Sequence, residues 1–100
     1  MINNIPKYNW PEAKFARLNL PATQLEHIIS EFEEARTAET DEEREMELAD
    51  LHHSLETYWR IKAGIHGQEY VTSLFGQVEE KNRVRGYYDH ADCQQEGGQP

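Results

Sequence analysis

The stretch that decides the fold is Ile28-Ile29-Ser30-Glu31-Phe32-Glu33-Glu34-Ala35, followed after a connection by Glu47-Leu48-Ala49-Asp50-Leu51. Each segment combines apolar residues at helical spacing with two acids three residues apart, which therefore project from one helical face. Between the segments, Thr40 is a capping residue followed by acids, a pattern typical of a helix N-terminus. The pattern predicts two amphipathic helices joined near residue 40.

Working outward, the pattern predicts an all-α domain over residues 21–88, made of a helical hairpin plus a third helix. Pro21 favours a helix start, and the first helix is expected over about residues 22–37. The second helix should run from the Thr40 cap to the region of Gly64 to Gly67. A third apolar stripe follows and predicts a helix that stops near Gly86.

The two ends of the chain show no sustained periodicity. Residues 1–20 contain two prolines and scattered apolar groups, so they are predicted to form an irregular arm that packs on the core. Residues 89–100 are polar and glycine-rich, and we expect an acidic, disordered tail there.

The composition of the chain argues against several classes of protein. The chain has 100 residues, with 19 acidic and 10 basic side chains and a formal net charge of −9. This charge argues against a nucleic-acid partner bound through its phosphates, and a protein this acidic that handles phosphates needs a cation as intermediary. The sequence contains neither a membrane-spanning apolar run nor a signal peptide, so a cytoplasmic location without a membrane partner is expected. Cys93 is the only cysteine, which excludes an intrachain disulfide and a cysteine-rich zinc site.

The acidic pairs are placed symmetrically about the connection. Positions 31 and 50, and likewise 34 and 47, are equidistant from a point between Thr40 and Asp41. If the helices form an antiparallel hairpin, Glu31, Glu34, Glu47 and Asp50 can all meet. Four converging negative charges repel one another, and divalent cations that prefer oxygen ligands are the simplest compensation. The spacing thus predicts a magnesium site.

These segments resemble the two-helix signature of the MazG-like, all-α nucleotide pyrophosphohydrolases. The segment Glu80-Lys81-Asn82-Arg83-Val84-Arg85-Gly86-Tyr87-Tyr88 is similar to the basic end with which many members close the triphosphate site. Together the matching stretches cover about residues 25–88, and neither the arm nor the tail is part of the resemblance.

The resemblance implies magnesium-dependent hydrolysis of a nucleoside or deoxynucleoside triphosphate to the monophosphate and pyrophosphate. Carried over by position, the metal ligands are Glu31, Glu34, Glu47 and Asp50, with Mn²⁺ as a substitute for Mg²⁺. Lys81, Asn82 and Arg85 would then contact the phosphates of the substrate. A homodimer or homotetramer is also implied, which agrees with the small core of a chain this short.

Other interpretations of the same residues remain open. The acids could be a solvated helix face, and the protein a non-catalytic acidic interaction module. The basic residues after position 80 could merely complement the helix dipole. Asp50 and His53 form an acid-x-x-His pair, and two chains could supply two such pairs to a di-iron carboxylate site within a bundle.

Overall fold

A computed structural model describes residues 7–90, and most of this range is helical. The helices are α1 (Phe15–Leu18), α2 (Pro21–Arg36), α3 (Asp41–His66) and α4 (Gln68–Val84). No β-strand occurs between residues 7 and 90, which confirms the all-α prediction. The three longer helices begin and end close to the positions that the caps, prolines and glycines of the sequence predict.

The N-terminal arm differs from the expectation, because α1 forms one helical turn within residues 1–20. The backbone N–H of Asn19 donates to the Phe15 carbonyl over 2.9 Å. After the turn, Asn19 and Leu20 are both extended, and the conformation of Leu20 is the one that a following proline ring favours. A single turn is too short to produce a periodic sequence signal. Residues 1–6, and the predicted tail beyond His90, lie outside the described residues.

The connection between α2 and α3 is closed by side-chain caps. Thr40 Oγ1 accepts a hydrogen bond from the backbone N–H of Glu43 at 3.1 Å, as the sequence predicts for an N-cap residue. The Glu43 carboxylate in turn accepts from the N–H of Glu39 at 3.2 Å. Arg44 spans the same connection, donating to the carbonyl of Ala38 and to the carboxylate of Asp41. These bonds fix where the chain reverses.

The end of α3 depends on a glycine. Gly67 has a φ of 96°, a region that L-residues with a side chain rarely adopt. Its N–H donates to the carbonyl of Ala63 at 2.8 Å and so closes the last turn of the helix. The chain then enters α4 at Gln68.

The described chain divides into two compact units, residues 7–71 and residues 72–90. In the first unit, α2 and α3 form an antiparallel hairpin. A polar residue ties the two helices together: Gln24 is 1% exposed, and its amide nitrogen donates to the carbonyl of Ser54 at 3.0 Å. Its amide oxygen accepts from Asn19 at 2.9 Å. Both ends of this buried amide are therefore satisfied, as burial requires.

Much of the apolar surface of the hairpin is not covered. Leu25, Ile29 and Phe32 recur at helical spacing on α2, yet they are 49%, 54% and 49% exposed. On α3, Leu48 and Leu55 are also exposed. Most of the apolar residues that flank the acids therefore lie at the surface of this chain. Within residues 7–90, no helix combines the length and the apolar character that a membrane crossing demands.

Candidate metal centre

The antiparallel hairpin brings carboxylates from both helices together. Glu31 and Glu34 lie one turn apart on α2, and Glu47 projects from α3. One carboxylate oxygen from each of these three residues lies within 4.8 Å of the other two. Acids placed symmetrically about the connection are predicted to meet, and these three side chains do lie together.

Asp50 lies at the edge of this cluster. It is exposed and does not belong to the group of three, but after desolvation its negative charge is the next cause that raises the pKa of Glu31, so the two carboxylates are close. All four predicted ligands are thus neighbours, with Asp50 beside Glu31. The three glutamates and the aspartate together form what we call the carboxylate cluster.

Glu31 is the most buried member of the cluster. Its side chain is 13% exposed, and its Oε1 is buried with no hydrogen-bond partner in the described part of the chain. Desolvation raises the pKa of Glu31, and the negative charges of Asp50 and Glu34 act in the same direction. His27, whose Nε2 is 3.1 Å from Glu31 Oε2, opposes this shift. A buried carboxylate oxygen without a donor is available to a cation.

The pKa of Glu47 is also raised. Desolvation is the largest cause, followed by a hydrogen bond and a charge interaction with Glu34, and then by the charges of Glu31 and Asp50. Burial is the first cause of both shifts, and the negative charges of neighbouring carboxylates add to it. The donors of the cluster are all carboxylate oxygens, the ligands that magnesium and calcium prefer. The residues present therefore fit a hard divalent cation.

His27 is a neighbour of the site that our sequence interpretation missed. It lies four residues before Glu31 on α2, so the two side chains meet on one face of the helix. This i, i+4 spacing was the available signal. The His27 side chain is 44% exposed.

The residues predicted to bind phosphate belong to the C-terminal unit. Lys81 and Asn82 lie in the last turn of α4, and Arg85 follows the helix, with its guanidinium 5.7 Å from the centre of the Tyr87 ring. Lys81 and Arg85 are exposed. Arg83 differs from them, because it forms ion pairs with Glu79 at 2.8 Å and with Glu80 at 3.4 Å. Its charge is therefore largely compensated.

His53, the histidine of the di-iron interpretation, lies outside the group of three glutamates. Its ring stacks on Trp10, with 5.2 Å between ring centres and an interplanar angle of 19°. The group of three glutamates offers only carboxylate oxygens, the ligands that magnesium prefers, and the histidine in contact with it is His27.

Comparison of the chain with protein-family models, with curated proteins and with solved structures found no match. The resemblance to the MazG-like enzymes consequently rests on the residues of the two acidic segments and of the basic segment at 80–88.

The raised pKa of Glu31 makes a prediction about the metal-free protein. Since the folded state holds this proton more tightly than the unfolded chain, ionisation of Glu31 destabilises the fold, and stability falls as the pH rises through the shifted range. Glu31→Gln should therefore unfold at higher urea concentration than the parent protein at neutral pH in chelator. The difference should vanish below the ordinary glutamate range, where both side chains are neutral.

Glu26→Gln is the matched control, because Glu26 lies on the same helix but is exposed. It should change the urea midpoint little at either pH. A lower midpoint for Glu31→Gln than for the parent at neutral pH would contradict the argument that repulsion and desolvation dominate at this site.

Proposed function

We propose that this protein hydrolyses a nucleoside or deoxynucleoside triphosphate to the monophosphate and pyrophosphate in a magnesium-dependent reaction. The observation that carries the proposal is the convergence of Glu31, Glu34 and Glu47, with Asp50 beside them, on two antiparallel helices. The order and spacing of these four residues resemble those of the metal ligands in the MazG-like enzymes.

The chain's own residues have distinct parts in this reaction. Glu31, Glu34, Glu47 and Asp50 would hold Mg²⁺, or Mn²⁺ in its place. When bound, the metal would supply positive charge to neutralise the triphosphate oxygens and to favour ionisation of the attacking water. His27 stabilises the ionised form of Glu31 through its 3.1 Å contact, which keeps that carboxylate available as a ligand.

We further propose that Lys81, Asn82 and Arg85 bind the phosphates. The ammonium of Lys81 offers a point charge, the amide of Asn82 a neutral donor, and the guanidinium of Arg85 a planar fork of donors. The exposure of Lys81 and Arg85 supports this role, since their charges can be reached by a substrate.

The first test concerns the metal. Excess Mg²⁺ should stabilise the folded protein by about 2.7 kcal/mol at a concentration of roughly 100 times its Kd, and chelator should remove both this stabilisation and all turnover. The measurements are thermal unfolding and pyrophosphate release from a panel of canonical and modified triphosphates. Stabilisation that follows ionic strength, irrespective of the cation, would instead indicate an acidic interaction module.

Replacement of Glu34, Glu47 or Asp50 by its amide should abolish most turnover and the response to Mg²⁺, because a lost ligand changes the charge and geometry of the site. Glu33→Gln is the matched control: Glu33 lies between the α2 ligands but is paired with Arg36 at 2.7 Å. It should retain activity. Full turnover in all three amide variants would refute the proposed function.

The phosphate-binding role predicts that Arg85→Ala lowers kcat/KM by a factor consistent with about 1.5 to 3 kcal/mol, the usual contribution of a hydrogen bond to a charged group. Magnesium binding to the substrate-free protein should stay nearly unchanged. Arg85→Lys should recover only part of the loss, since an ammonium cannot reproduce the guanidinium fork.

Arg83→Ala provides the comparison on the same helix end, because Arg83 is held by Glu79 and Glu80. It should affect kcat/KM much less than Arg85→Ala. If Arg85→Ala has the same kinetics as the parent, the basic residues after position 80 only complement the helix dipole and do not bind the substrate. The amide variants test the metal site independently of this result.

We also propose that a second copy of the chain covers the exposed apolar stripe of Leu25, Ile29 and Phe32. A stripe of this kind on one helical face is what a helical bundle buries between protomers. A chain of 100 residues also has little core of its own, so burial between copies adds stability.

Ile29→Glu places a charge in the middle of this stripe and should shift the protein from dimer or tetramer towards monomer at micromolar concentration, with a lower melting temperature. Sedimentation equilibrium measures the mass. Val84→Glu is a suitable control, since Val84 is 77% exposed at the end of α4. A parent protein that is strictly monomeric and fully folded would contradict the proposed assembly.

A further inference from the structure

The segment that precedes α1 is tied to α3 by a buried carboxylate that the proposed reaction does not use. Glu56 is 5% exposed, and its two oxygens accept hydrogen bonds from the backbone N–H groups of Asn9 at 2.8 Å and Trp10 at 3.1 Å. The Nε2 of His52 lies 3.6 Å from the same carboxylate. Charge-assisted bonds to two successive backbone donors fix both the position and the direction of this segment.

Arg60, one turn further along α3, holds the same segment. Its guanidinium donates to the carbonyl of Trp10 at 2.9 Å and lies 4.2 Å from the centre of the Tyr8 ring. Glu56 and Arg60 thus bind the donors and the acceptor of a single short stretch of backbone. We call Tyr8, Asn9 and Trp10, together with these two α3 side chains, the arm latch.

The arm latch places one large ring, the indole of Trp10, against two histidines of α3. Trp10 stacks on His53 with 5.2 Å between ring centres, and it also makes an edge contact with His52 at 6.5 Å. His53 follows Asp50 by three residues on α3, so its Cα lies about 4.5 Å further along the helix axis. The histidine on which the indole stacks is therefore about one helical turn from a member of the cluster.

Two buried nitrogens mark the place where these rings meet. Trp10 Nε1 and His53 Nε2 are both buried, and neither has a hydrogen-bond partner within residues 7–90. Burying two such groups opposes the stacked arrangement, because a buried polar atom without a partner is unfavourable. Specific bonds from elsewhere must then keep the indole in place, and the arm latch supplies them.

We propose that Glu56 is a positioning residue that holds the Trp10 indole on His53 and so builds one wall of the substrate space beside the carboxylate cluster. The role in the substrate space rests on the proposed function, whereas the positioning of Trp10 does not. Glu56 acts on the substrate through Trp10, since its own carboxylate is occupied by the backbone of Asn9 and Trp10.

The positioning is tested by tryptophan fluorescence in a Trp59→Phe background, where Trp10 is the only indole. Glu56→Gln replaces one acceptor oxygen by an amide donor that faces a backbone N–H, so the segment should loosen. The Trp10 emission should shift to longer wavelength, and acrylamide should quench it more strongly. Glu26→Gln, which removes an exposed carboxylate of α2, should leave both readouts unchanged.

Tyr8→Ala provides a second variant that does not alter α3. It removes the ring that lies against Arg60 while leaving the buried Glu56 intact, so the helical hairpin keeps its sequence. The same direction of change in emission and quenching is expected. Unchanged Trp10 fluorescence in both variants would overturn the arm latch.

The role in the substrate space is tested by steady-state kinetics of pyrophosphate release. Glu56→Gln should raise KM roughly three- to tenfold, as for the loss of one aromatic contact with the substrate, with little change in kcat, because the carboxylate cluster is intact. An altered fluorescence with unchanged KM would overturn this role. A parent protein that is inactive on every triphosphate would refute the proposed function, while the fluorescence still decides whether Glu56 positions Trp10.

Discussion

The short connection between α2 and α3 is the constraint on which the site depends. Thr40 caps α3 and Arg44 bridges the turn, so the chain reverses at a defined residue. Further along the hairpin, the bond from Gln24 to the Ser54 carbonyl fixes the same antiparallel alignment from the other end. With both points fixed, acids that are equidistant from the turn are brought face to face.

This alignment places groups together that repel one another. Glu31 and Glu47 both have raised pKa values, because burial and neighbouring carboxylates disfavour their ionised forms. Such a cluster weakens the fold that holds it, and the hairpin has to be stabilised by other interactions. The buried amide of Gln24 and the buried carboxylate of Glu56 contribute here, since each makes two hydrogen bonds. Hydrogen bonds between polar groups therefore help to stabilise a hairpin in which Leu25, Leu48 and Leu55 are 49%, 45% and 40% exposed.

The elements with a strong local signal could be predicted from the sequence. The helix ends at Pro21, Thr40 and Gly67 follow from single residues whose backbone preferences are well defined. The meeting of Glu31, Glu34 and Glu47 follows from helical spacing and from a short turn. By contrast, the single turn of α1 leaves no periodic pattern.

Long-range polar contacts could not be predicted either. Glu56 binds backbone groups 46 and 47 residues away, and one glutamate among many gives no sign of that partner. Nor does the apolar pattern of α2 reveal which of its residues are covered within one chain and which stay exposed. The pattern predicts that the helix has an apolar face. Which part of the molecule, or which other chain, packs against that face depends on tertiary and quaternary structure.

The capped turn at residues 37–40 also determines where this chain can change its length during evolution. Each residue of an α-helix rotates the following side chains by roughly 100° about the axis. One residue inserted between Asp41 and Glu47 would turn both acids of α3 away from those of α2 while leaving composition and helix propensity almost unchanged. An insertion within the connection itself would alter the reversal but preserve the spacing within each acidic pair. Length variation among functional relatives should therefore be concentrated at the turn, with the interval between the two acids of each helix kept constant.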